Sequence, residues 1–169
     1  MTDKSPRAIF ILASVTFFSA SAQGNSSPFE DPSLGKCYTA VGDFIRETLG
    51  EQALTDSNIK TTKKGAWTWV IDQTASTNYT WFLLEKQNMQ VCVRGYVPSA
   101  SSVEFKTRNS ISYIDATIAP PPLLPGKLIE FQLEPTTHVF KPARCFLLPS
   151  TKQGKISKRQ SVGCENIME

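Results

Sequence analysis

Four cysteines, Cys37, Cys92, Cys145 and Cys164, follow a stretch that reads as an export signal, and no other feature constrains the fold as strongly. An even number of cysteines in a chain bound for an oxidising compartment predicts two disulfides. Four cysteines allow three pairings, and the sequence does not choose between them. The preferred scheme is Cys37–Cys92 with Cys145–Cys164, which would tie an early helix to a sheet and close the C-terminal tail.

The export reading rests on order. Lys4 and Arg7 come first, the uncharged apolar stretch Ala8 to Ala20 follows, and Ser19-Ala20-Ser21-Ala22 sets small residues before Gln23. That sequence of regions defines a secretory signal, here expected to be residues 1–22. The apolar run is 13 residues, whereas a membrane span needs about 20. Cleavage would leave 147 residues, a single-domain length, with 16 basic and 14 acidic side chains. So balanced a charge argues against a dedicated nucleic-acid binder. No second long apolar run predicts a membrane span after cleavage. The compartment expected is the periplasm or the extracellular medium.

Residues 23–36, rich in Gly, Ser and Pro, read as a flexible lead-in to one globular domain over 37–169. A helix is predicted from Cys37 to Leu49, with Val41, Ile45 and Leu49 on one face beside Phe44, and Gly50 as its stop. Gly42 weakens it by about 1 kcal/mol relative to alanine. From Gly65 onward the texture is strand, rich in aromatic and β-branched residues: 66–71, 79–86, 89–97, 102–107, 110–118, 128–134 and 138–148. Gln87-Asn88 reads as a hairpin turn, residues 119–126 as an extended proline-rich connector, and Pro142 as an interruption or edge marker. The fold class expected is therefore α+β, with one N-terminal amphipathic helix packed on an antiparallel sheet and stapled by two disulfides.

Candidate chemistry is sparse. Zinc would need close cysteine or histidine pairs, yet the shortest gap leaves 18 residues between Cys145 and Cys164, and His138 is the single histidine. Cys92 as a nucleophile would require a reduced, activated thiol. A half-cystine suits its apolar neighbours and the compartment better. Glu130 and Glu134 share a strand face about 13 Å apart along the chain, too far for the roughly 5 to 9.5 Å of a glycosidase pair. A solvated sheet face is the plainer expectation for both. No Gly-x-Ser-x-Gly, Walker or Gly-x-Gly-x-x-Gly segment occurs, and no cofactor is implied.

Two surfaces remain as binding candidates. Lys152, Lys155, Lys158 and Arg159 form a basic segment without an intervening acid, suited to an anionic partner or, more plainly, to solvent. Trp67 and Trp69 share a strand face and Trp81 lies on the neighbouring segment. Such rings are most often core but can form a platform for flat ligands. Asn25 and Asn78 begin Asn-x-Ser/Thr sequons, which matter if a eukaryotic cell makes the protein.

The cysteine opening "CYTAVGDFIRETLGE", the Trp-bearing strand and the hairpin "TWFLLEKQNMQVCVRG" together resemble a group of small exported bacterial proteins of uncharacterised function, over residues 37–95. An additional Trp-rich strand and the second cysteine pair depart from that pattern. The resemblance implies export and a Cys37–Cys92 bridge, and it carries over no catalytic residue. The function expected is a non-enzymatic binding protein with a macromolecular or envelope partner. The alternative is a small extracytoplasmic hydrolase of carbohydrate or peptide.

Overall fold

The computed structural model describes residues 27–75, 78–118, 126–148 and 158–167. The expected signal peptide, Asn25, Lys152, Lys155 and most of the proline-rich connector lie outside them. Among the described residues no helix is long and apolar enough to cross a membrane.

The strands are β1 (Cys37–Tyr38), β2 (Ile59–Lys64), β3 (Trp67–Asp72), β4 (Tyr79–Gln87), β5 (Gln90–Ala100), β6 (Ser102–Arg108), β7 (Ile111–Ile118), β8 (Gly126–Leu133), β9 (Phe140–Leu148) and β10 (Gln160–Val162). Among the described residues a single α-helix, α1, covers Val41–Leu49. The strands form two antiparallel five-stranded sheets, ordered β1-β5-β4-β3-β2 and β10-β9-β8-β7-β6. This corrects the expected class: the protein is mostly β, and a helix on one sheet does not describe it. The helix covers the outer face of the first sheet, while its inner face packs on the second.

Strand alternation explains both interfaces. Val70, Phe82, Leu84, Val91 and Val93 face the helix and meet Phe44 and Ile45. Aromatic edges run through this layer, from Tyr38 to Phe44 to Phe82, with centroids 5.5 and 5.1 Å apart. Leu83, Val97, Trp67, Trp69 and Trp81 face the second sheet and meet Ile114, Ile129, Phe131 and Phe140. Phe29, in the expected lead-in, enters the same layer edge-on to Phe131 at 5.4 Å.

The chain changes sheets at Ser101. Its backbone N–H and its hydroxyl each donate to the Thr117 carbonyl at 2.8 Å, which turns the end of β5 into β6. One fully local signal for such a corner does not exist, because the strands on either side look alike in sequence. Gly95 allows the sheets to close: a Cβ there would lie 3.2 Å from Ile114 Cδ1 and 3.3 Å from Leu83 Cβ.

The helix is shorter than predicted because Cys37 and Tyr38 are strand, paired with Cys92 and Val91. Asp43 accepts the Ala40 N–H at 3.1 Å at the helix start, and Gly50, at φ 95°, ends it. Strand β2 was not foreseen. Its sequence IKTTKK has no apolar alternation, and its lysines suit an unpaired sheet edge. Pro142 does not end β9, but it lies in the part of the strand that β10, paired only with Cys145 to Leu147, leaves uncovered. It sits at a register irregularity, opposite Phe131, while Arg144 pairs with Glu130. Asn88 takes the left-handed conformation expected of the hairpin turn, at φ 53°.

Both disulfides follow the preferred scheme, Cys37–Cys92 and Cys145–Cys164. Two such bonds fit an oxidising environment outside the cytoplasm.

Candidate binding cleft

Hairpin β2–β3 builds the site. Gly65 turns the chain at φ 62°, and the register sets Lys64 directly opposite Trp67 and Thr62 opposite Trp69. Directly opposed residues share a face, so Lys64 stands beside the indoles on the side toward the second sheet. There β6 contributes Phe105 and Thr107. These side chains and Gly65 line an open cleft of about 440 Å³.

The floor is aromatic. Trp67 lies 5.2 Å from Phe105 and 6.1 Å from Phe140, which are themselves 6.2 Å apart, so three rings from two sheets close a triangle. Phe140 is buried, whereas Trp67, Trp69 and Phe105 are half-buried and keep surface toward solvent. Trp81 behaves differently. Its indole N–H donates to the Ala100 carbonyl at 2.9 Å, and its ring braces Trp69 edge-on at 6.0 Å. Trp81 thus supports the cleft and does not line it. Among the described residues the indole N–H groups of Trp67 and Trp69 have no protein acceptor.

The polar lining is donor-rich: the exposed Lys64 ammonium and the Thr107 hydroxyl, with neither carboxylate nor imidazole. The carboxylate beside the cleft is already engaged: Glu85, opposite Trp67 on β4, accepts from the buried Arg94 at 3.0 Å. Glu104 points to the far face of the second sheet and pairs there with Lys106 at 2.9 Å.

The other sequence candidates fall elsewhere. Cys92 is a buried half-cystine and holds no free thiol. His138 is exposed in the β8–β9 turn at φ 53°, its backbone N–H donating to the Glu134 carbonyl. Lys158 and Arg159 are exposed ahead of β10, outside the cleft. Glu130 and Glu134 do not share a solvated face. Glu130 is 5% exposed, its carboxylate accepting from Arg144 at 2.7 Å and from Arg108 at 3.4 Å. Glu134 lies past the strand end, bonded to Thr137 and 2.9 Å from Lys141, which hold its carboxyl below the usual range. Among the described residues no group of His, Cys, Asp and Glu side chains could hold a metal ion.

A second cavity, of about 480 Å³, is bordered by Phe29, Glu30, Lys141 and Cys164. Its rim is shared between the segment ahead of β1, from Ser27 to Glu30, and the start of β9. The aromatic cleft is the better-built site. Of the residues that line it, the sequence singled out Trp67 and Trp69 but not Lys64, Phe105 or Thr107. Only the register and the crossing of the second sheet bring those three to the indoles.

Comparisons with family models, with curated proteins and with solved structures found no match, so the cleft is read on its own geometry.

Proposed function

We propose that this is a non-enzymatic binding protein that works outside the cytoplasm, in the periplasm or the extracellular medium, and that its seat for a small apolar ligand is the Trp67–Trp69–Phe105 cleft. The observation that carries this reading is the contrast among the three tryptophans. Trp81 is spent on structure, while Trp67 and Trp69 keep half-buried ring surface in a concave site. Concave, mostly apolar sites with a few polar groups are the usual form of small-molecule seats. The hydrolase alternative would need an acid, a base and a nucleophile converging on bound substrate, and the lining offers the Lys64 ammonium and the Thr107 hydroxyl without a carboxylate or imidazole to activate either.

The test is a fluorescence titration with the neutral probe N-phenyl-1-naphthylamine. Its emission should rise on binding to the wild-type protein, and Thr107→Trp, which fills the exposed mouth without removing a core ring, should abolish the rise. Equal binding by both proteins, or none by the wild type, would remove the cleft from consideration.

A further inference from the structure

We infer that the ligand of this cleft is an organic anion, a flat apolar body carrying one negative group that Lys64 receives. The inference rests on the cleft being the ligand seat and specifies what occupies it.

The argument is one of charge placement. Lys64 is the only charged side chain in the lining and makes no ion pair among the described residues. Its register partner is Trp67, so an anion resting against the ammonium leaves the rest of the ligand over the indole. The carboxylate nearest in register, Glu85, opposite Trp67 on β4, is held by the buried Arg94. Lys63 and Lys86, which line a depression on the opposite face of the first sheet, add positive potential nearby. Two indole N–H groups without acceptors among the described residues and the Thr107 hydroxyl offer further donors, and the lining residues carry no anionic competitor. A cationic ligand would meet no compensating charge here, and a wholly apolar one would leave the exposed Lys64 ammonium unused.

Two probes with the same ring system separate this inference from the one beneath it. 1-Anilinonaphthalene-8-sulfonate carries a sulfonate that N-phenyl-1-naphthylamine lacks. Both are titrated against wild type, Lys64→Gln and Thr107→Trp, with far-ultraviolet circular dichroism verifying that each variant is folded. Lys64 is exposed on an edge strand, so its replacement leaves the core intact. The expected result is a loss of sulfonate affinity of roughly five- to tenfold in Lys64→Gln, the scale of one half-solvated charged hydrogen bond. The neutral probe should be unaffected by that change, and Thr107→Trp should exclude both. If Lys64→Gln leaves the sulfonate affinity unchanged, or lowers both affinities equally, the anion assignment is wrong while the seat stands. If neither probe binds the wild type, the seat itself is wrong.

Discussion

Trp67 of the first sheet and Phe105 of the second hold their ring centroids 5.2 Å apart, and the same contact joins the sheets and floors the cleft. Stability and the proposed binding therefore share residues here, but not equally. Phe140 lies beneath the pair, 2% exposed. Phe140→Ala should cost about 3–5 kcal/mol as a fully buried aromatic truncation. Phe105→Ala, at a half-buried position, should cost less, roughly 2 kcal/mol, yet should lose the naphthylamine probe. Urea unfolding of both variants beside the probe titration checks the split.

The two disulfides should contribute unequally. Loop-entropy reasoning gives about 4 kcal/mol for Cys37–Cys92, which spans 55 residues, and about 3 kcal/mol for Cys145–Cys164, which spans 19. Paired serine replacements followed by chemical denaturation measure each. The mature protein, denatured without reductant, should show no free thiol.

Gly95 is required by packing. An added methyl would press on Ile114 Cδ1, which can shift, and on Leu83 Cβ, which is fixed to its backbone. Gly95→Ala should destabilise by about 1–3 kcal/mol, the usual range for overpacking a core. Gly95→Val should be worse. A thermal melt of each variant decides this, and an unchanged midpoint for the alanine form would show that the sheets close less tightly.

Tyr96 makes the alkaline limb of stability testable. It packs on Phe82 at 5.3 Å, and burial, assisted by the Asp31 carboxylate, raises its phenol pKa above the ordinary value of about 10. The folded chain then keeps the proton over a range in which the unfolded chain has lost it. That contribution is complete below pH about 10 and is lost as pH rises through the folded pKa. Absorbance titration at alkaline pH should show a late phenolate step that Tyr96→Phe removes, with a shallower fall of stability in the variant.

Much of this fold could be read locally. Residues 67–148 announce their strands because alternating aromatic and β-branched side chains need a pleated, half-buried surface. What local pattern could not reveal was partnership. Nothing in Ser101 or its neighbours distinguishes a corner between sheets from a bend within one. Cys37 looked helical because the apolar spacing of Val41, Ile45 and Leu49 lies close behind it, whereas its register partner Cys92 lies 55 residues away. Strand β2 has no apolar face, so periodicity had nothing to detect. The cleft followed the same rule. Ring platforms at Trp67 and Trp69 could be suspected from their spacing, but Trp81 could not be separated from them until the Ala100 carbonyl was seen to occupy its N–H. Glu130 was read as solvated because strand alternation put it outside; Arg108 and Arg144, arriving from two other strands, bury it.

The three tryptophans supply the most direct test of the binding account, because each gives its own indole N–H signal in a nitrogen–proton correlation spectrum. Titration with 1-anilinonaphthalene-8-sulfonate should move the Trp67 and Trp69 signals and leave that of Trp81 in place, slow to exchange with solvent behind its bond to Ala100. Movement confined to Trp81, or perturbations gathered far from Lys64, Phe105 and Thr107 with the other two indoles still, would contradict the cleft as the seat.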